Sequence, residues 1–172
     1  MLKIISGGQT GADRAGLDAA IVMGLPHGGW CTKFRRAEDG PIPASYNLIE
    51  LDNPSYPART KRNVQACNIA IVWFTRYSAG TKLTERYCIE NKKPYILVDL
   101  SRPTSYVDFN GVELCQSTYA DYRDSIASII GRMHDKAGNL VINVAGNRES
   151  VSPGIYNHVY KDLMYVFGVL IK

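Results

Sequence analysis

Three glycines alternate with hydrogen-bonding residues in Ser6-Gly7-Gly8-Gln9-Thr10-Gly11-Ala12-Asp13, which follows the apolar run Leu2 to Ile5 and precedes a helical pattern. A buried strand that ends in a glycine-rich turn and opens a helix gathers backbone N–H groups at the positive end of the helix dipole, an arrangement for holding an anion. A side chain at Gly7, Gly8 or Gly11 would restrict the turn and hold a phosphate-like group away from the backbone. The spacing is neither G-x-G-x-x-G nor the lysine-bearing P-loop. Thr10 and Asp13 have capping-box spacing and are expected to start the helix. Gly7, Gly8, Gln9, Thr10 and Gly11 are read as the ligand-binding turn.

The segment from Trp30 to Gly40 concentrates Lys33, Arg35 and Arg36 beside Glu38 and Asp39. The cations can clamp phosphate or another oxyanion, arginine doing so bidentately. The carboxylates would repel an anion, and they make sense if the ligand also carries donors such as ribose hydroxyls or the amino-pyrimidine edge of a purine or pterin. The ligand expected is therefore two-ended. Ser78, Gly80 and Thr81 form a second small-residue turn before a helix, and Asn147, Arg148, Glu149 and Ser150 form a third polar turn. Asn143 interrupts an otherwise apolar strand and needs a partner. Arg59, Thr60, Lys61, Arg62 and Asn63 open another helix, where exposure is the default for the basic residues.

Nucleophilic catalysis has little to stand on, because the histidines are only His27, His134 and His158 and there is no G-x-S-x-G elbow. The expectation is a binding protein with no catalytic residue. Cys31 lies near Lys33 and Arg35, which would favour its thiolate, although small buried cysteines are more often inert. Cys31, Cys67, Cys88 and Cys115 are dispersed with no C-x-x-C, which argues against a metal site and a disulfide scaffold and for a reducing compartment.

The chain of 172 residues is long enough for one domain with a proper core, spanning 1–172. Its net charge of +4 suits an anionic ligand, while the absence of a long lysine-arginine block gives no reason to expect nucleic acid. Residues after Met1 lack the pattern of a secretory leader, and no apolar run reaches membrane-spanning length. A soluble, cytoplasmic protein is expected.

Positioning these turns requires strands at Leu2 to Ile5, His27 to Cys31, Ile69 to Phe74, Tyr95 to Leu100 and Leu140 to Ala145, alternating with helices. Leu17, Ala20, Ile21 and Gly24 give the first helix its apolar stripe. Helices over 58–67, 81–91 and 119–136 follow, and a last helix is expected to begin at Pro153 with Ser152 as cap. Residues 31–56 read as a long loop with a short strand at Leu48 to Leu51, and 101–116 as irregular. The fold class is α/β, a Rossmann-like, three-layer, doubly wound, mainly parallel sheet of about five strands. Ligands of such sheets bind beyond the carboxyl ends of the strands, so the three turns should line one crevice.

Taken together, residues 6–13, Pro-His-Gly-Gly-Trp-Cys at 26–31, Arg-Arg-Ala-Glu-Asp-Gly-Pro-Ile-Pro at 35–43, Arg-Asn-Val at 62–64, Gly-Thr at 80–81 and the stretch 143–156 resemble the proposed molybdenum carrier family. That family is similar to molybdenum cofactor carrier proteins and to the Rossmann-like group that includes LOG-type, lysine-decarboxylase-like phosphoribohydrolases. The resemblance implies a homo-oligomeric carrier, a dimer or tetramer, whose ligand is molybdenum cofactor, a pterin with a phosphate and an oxo-metal centre. Molybdoenzymes would be its acceptors, with no structural metal of its own. Departures are Thr32 for proline, Phe34 for glycine, Ala79 for the first glycine of Gly-Gly-Thr, and Asn147 for proline. Phe34 and Ala79 would narrow the pocket. LOG-type enzymes place a glutamate in P-G-G-x-G-T-x-x-E. Here Glu85 arrives one residue late, turned by about 100° on a helix. The alternatives are a LOG-like phosphoribohydrolase acting on nucleoside monophosphates, with Glu85 as its catalytic residue, and a nucleotide-sensing module.

Overall fold

The computed structural model describes residues 1–101, 106–110, 112–116 and 119–171; of 106–109, 112–116 and 119–121 only the backbone is described. In chain order the elements are β1 (Leu2–Ile5), α1 (Ala12–Val22), β2 (His27–Gly28), β3 (Trp30–Cys31), a 3-10 turn (Lys33–Arg35), β4 (Arg36–Ala37), β5 (Gly40–Pro41) and β6 (Ile49–Glu50). There follow α2 (Tyr56–Ala66), β7 (Ile69–Phe74), α3 (Ala79–Glu90), β8 (Tyr95–Asp99), β9 (Tyr106–Phe109), β10 (Val112–Gln116), α4 (Tyr119–Ala137), β11 (Leu140–Gly146) and α5 (Ile155–Leu170).

The main sheet has the order β10-β9-β8-β7-β11-β1-β2. From β8 to β2 all pairings are parallel, giving the five-stranded parallel sheet expected. β7 is buried along its whole length, which is why Ile69 to Phe74 reads as a continuous apolar run. α1, α4 and α5 cover one face, where Ile4, Ile71, Ile142 and Val144 meet Leu163 and Phe167. α2 and α3 cover the other, over Ile5, Ala70, Val72 and Leu97. Each fully buried Ile, Leu or Phe contributes about 1.5–3 kcal/mol.

Residues 101–116 depart from the irregular reading. β9 and β10 form an antiparallel hairpin that extends the sheet beyond β8. Asn110 stands at φ +55° and its side-chain oxygen accepts from Tyr95 N–H at 2.9 Å. Asn-Gly is a common hairpin signal, and it is present in the sequence at 110–111.

The expected second strand is split. His27–Gly28 joins the main sheet, Gly29 turns the chain, and Trp30–Cys31 pairs with Ile49–Glu50 in a separate two-stranded sheet. The long loop is ordered by its own apolar cluster of Leu17, Cys31, Ala37, Ile42 and Leu48. Burial pushes the Cys31 thiol pKa up, so it behaves as a packed apolar group. Cys67 and Cys88 are buried too, with burial raising their thiols to about 11 and about 12.

Candidate functional site

Beyond the carboxyl ends of β1, β7 and β11 lies a cleft of about 320 Å³. The turn after β1 contributes Gln9 and Asp13, and α2 contributes Tyr56, Arg59, Thr60 and Asn63. The start of α3 contributes Ser78, Ala79 and Gly80, and the end of β11 with its turn contributes Asn143, Asn147 and Arg148. The cleft opens where β11 has β1 on one side and β7 on the other, and where the connections diverge in opposite directions, which is the topological switch point.

The first turn does not cap α1 as its spacing suggests. α1 starts at Ala12 with Gly11 at its N-cap and no side-chain cap. Gly11 stands at φ +73°, and a Cβ there would lie 2.5 Å from the carbonyl oxygen of Asn147. Asp13 points inward instead: its carboxylate accepts from Gln9 N–H at 3.2 Å and from Arg59 Nη1 at 2.8 Å. Burial raises the Asp13 pKa, opposed by the nearby Arg59 guanidinium.

Arg59 and Arg148 are the cations of the cleft lining, and Arg59 is the more deeply placed. Its Nε is buried and donates to no described residue, and its guanidinium carbon lies 5.8 Å from the Tyr56 ring. Gln9 has a similar surplus. Its Oε1 accepts from Thr10 N–H at 3.0 Å and Glu38 N–H at 2.9 Å, which leaves Nε2 free to donate. Ser78 Oγ accepts from Thr81 N–H, so the first N–H groups of α3 remain for an acceptor in the cleft.

Asn147 fastens the turns to one another. Its side-chain oxygen accepts from the N–H groups of Thr75 and Arg76, both at 3.1 Å, and from Ser152 Oγ at 2.7 Å. Its Nδ2 donates to Thr81 Oγ1 at 3.2 Å and Ser78 Oγ at 3.3 Å. Of the residues read from the sequence as ligand contacts, Gln9, Ser78, Gly80, Asn147 and Arg148 line the cleft. Gly7 supports it from behind, carrying the Arg59 guanidinium.

The basic loop is occupied elsewhere. Arg35 donates to the carbonyls of Ile42, Pro43, Tyr46 and Leu48 and so braces its own loop. Lys33 pairs with Asp52, and Arg36 bonds to the Pro54 carbonyl and lies 5.0 Å from the Tyr56 ring. Asp39 pairs with Arg14, whose Nε donates to the carbonyl of Gly8. Glu38 accepts from Thr10 Oγ1, from both N–H and Oγ of Ser150, and pairs with Arg148. Burial alone would raise the Glu38 carboxyl, but the bonds from Ser150 and Thr10, together with Arg148, outweigh it and hold the pKa below the usual range. Glu149, in place of Ser152, caps α5, accepting from the N–H groups of Gly154 and Tyr156. The helix accordingly begins at Ile155 and not at Pro153.

Phe34 does not narrow the cleft. It is 72% exposed and sits in left-handed backbone at φ +65°, which accounts for a glycine being usual there. Ala79 does line the cleft, at the first turn of α3. Glu85 accepts from the Tyr77 hydroxyl and is not among the lining residues. Thr81 is buried behind the rim.

Fold and cleft define a Rossmann-like α/β protein with a circularly permuted strand order. Counting the parallel strands from β11, the sheet reads 3-2-1-4-5, the dinucleotide-binding order with its last segment moved to the front of the count. The model of the circularly permutated YpsA SLOG family matches residues 4–167, and the chain belongs to that family. A 1.45 Å crystal structure of a proposed molybdenum carrier protein from Syntrophus aciditrophicus SB is similar, with a TM-score of 0.75 at 34% identity over 99% of this chain and 94% of that chain. No curated protein matches. Among the described residues, no helix is long and apolar enough to cross a membrane.

Proposed function

We propose that this chain binds molybdenum cofactor in the cleft at β1, β7 and β11 and carries it unchanged to acceptor enzymes. The carrying observation is the set of donors left unspent there: Arg59 Nε, Gln9 Nε2 and the opening N–H groups of α3. Hydrogen-bonded charge and helix-terminal N–H groups suit the phosphate end of the cofactor. The name of the structural neighbour supports the choice of cargo. Gln9, Ser78, Gly80 and Arg148 act with Arg59 at this site, and Asn147 ties the turns that carry them. Lys33, Arg35, Arg36, Glu38, Asp39, Thr10, Glu149 and Ser150 form the walls that hold the turns in place.

Phosphoribohydrolase activity is the second reading, and the position of Glu85, bonded to Tyr77 and away from the lining, weighs against it. The test is to incubate purified protein with released cofactor and follow its retention on gel filtration and its survival on transfer to a cofactor-free apoenzyme. Retention with protection is the expected result. Release of ribose 5-phosphate from a nucleoside monophosphate, abolished by Glu85→Gln, would replace the carrier reading with the hydrolase. Nucleotide binding with neither turnover nor cofactor protection would replace it with the sensing module.

A further inference from the structure

Alternation along β11 sends Ile142 and Val144 to the core under α1, α4 and α5, and Val141 and Ala145 to the opposite face. Asn143 therefore points toward α2 and α3. It is 3% exposed and lies in register between Ile5 and Ala70, neither of which offers a side-chain partner. Its amide hydrogen-bonds to none of the described residues, and it lines the cleft.

The neighbouring asparagines are satisfied. Asn63 exchanges two 2.9 Å bonds with the backbone of Trp30, and Asn147 is saturated as described above. The amide is open to the cleft while the rest of the residue is buried, so a group that enters the cleft is the partner within its reach. Asn143 stands three steps before Gly146 along β11, about 10 Å at roughly 3.3 Å per residue, so the amide stands at the inner end of a cleft whose rim carries Arg59 and the start of α3.

Resting on the reading of this cleft as the ligand site, we propose that Asn143 determines its specificity by pairing its carbonyl and amino groups side by side with the donor–acceptor edge of a nitrogen heterocycle. The lactam edge of a pterin or guanine has that pattern, and so does the amino-imine edge of adenine. The rim would hold the anionic end, and the amide would select the ring. Asn143 is acceptor and donor at once, which neither aspartate nor leucine can reproduce.

The test compares wild type with Asn143→Leu and Asn143→Asp, using a pterin, GMP, AMP and ribose 5-phosphate as titrants and urea unfolding of the ligand-free protein as a second readout. Wild type should bind at least one ring-bearing ligand more tightly than ribose 5-phosphate. A preference for pterin and GMP assigns the lactam edge, and a preference for AMP the amino-imine edge. Both variants should lose about ten- to a hundredfold of ring-dependent affinity, as for a bidentate amide pair, while ribose 5-phosphate binding is unchanged. Asn143→Leu should leave the urea midpoint of the free protein close to that of wild type, because the amide bonds to no described residue. A ring preference that survives in Asn143→Leu, an equal loss for ribose 5-phosphate, or no ring preference in wild type would overturn the proposal. Cofactor transfer failing while ring selection depends on Asn143 would sink only the carrier reading. Cofactor held equally by wild type and Asn143→Leu would sink only this one.

Discussion

A methyl group on Gly7 would stand 1.7 Å from Nη1 of Arg59, so the guanidinium of α2 rests directly on the glycine turn that follows β1. The glycine thus makes room for a cation of the protein itself.

Gly7→Ala should accordingly act through Arg59. The guanidinium is the flexible end of its side chain and would swing aside, separating it from Asp13 and withdrawing it from the rim. Stability should fall by about 1–3 kcal/mol, read as a lower urea midpoint at constant slope. Phosphate affinity measured by titration calorimetry should fall with it. A variant that keeps wild-type affinity would show that Arg59 does not hold the anion.

Asn147 invites the opposite expectation, a large effect on folding through bonds that touch no ligand. Asn147→Ala would strip partners from the N–H groups of Thr75 and Arg76 and from the hydroxyls of Ser152 and Thr81. Stability should drop by about 2–4 kcal/mol, the range for breaking a buried hydrogen-bond network. Asn147→Pro should be at least as damaging, because the backbone N–H of this residue donates to the Trp73 carbonyl at 3.0 Å. Urea unfolding of both variants would check this.

The positions of the parallel strands are legible in the sequence because β7 and β11 are largely apolar and because glycine turns punctuate the strand ends, whereas their order comes from the structure. The part played by Arg59 is less legible. Arg35 and Arg36 stand beside two carboxylates in a glycine-bounded loop and look like ligand contacts, yet four loop carbonyls absorb Arg35. Arg59 lies in a run of polar helical residues whose default is exposure, and only the packing of α2 over the turn after β1 brings it inward. Glu38 and Glu149 look like acceptors for ligand donors because a sequence shows a carboxylate's chemistry and not its partners. The backbone and hydroxyl donors that claim them come from turns 112 and five residues away. Asn143 is the clearest signal, since a polar residue inside an apolar strand is anomalous from the residue pattern alone.

Phe34→Gly should stabilise the protein without touching the ligand. An L-residue in left-handed backbone costs about 1–2 kcal/mol, partly offset by the greater freedom that glycine has when unfolded. With the ring mostly in solvent, little burial is lost. A net gain of about 0.5–1 kcal/mol is expected, visible as a rise in thermal midpoint, with unchanged affinity for phosphate. A loss of stability would mean that the contact of Lys33 with the ring, at 5.7 Å, outweighs the backbone strain.

Asp13 and an incoming anion compete for Arg59, and the competition should be visible in pH. Burial raises the folded pKa of Asp13 above its ordinary value of 3.8, so the folded protein holds this proton more tightly than the unfolded chain does. The sign is thus the reverse of the usual paired carboxylate. The contribution of Asp13 to stability is greatest below the ordinary value and declines as pH rises through the folded one. Protonation also releases Arg59 to the cleft. Arg14 lies beside Asp13 on the same helix, and Arg148 lines the cleft. Sulfate keeps a constant charge in this range, so its affinity should rise as pH falls toward the ordinary carboxylate range. Asp13→Asn should bind sulfate more tightly at neutral pH, on the order of tenfold or 1.4 kcal/mol, with a flatter pH profile. Calorimetric titrations of both proteins with sulfate from mildly acidic to neutral pH would decide the matter. Parallel profiles in wild type and Asp13→Asn would show that the anion does not draw on Arg59.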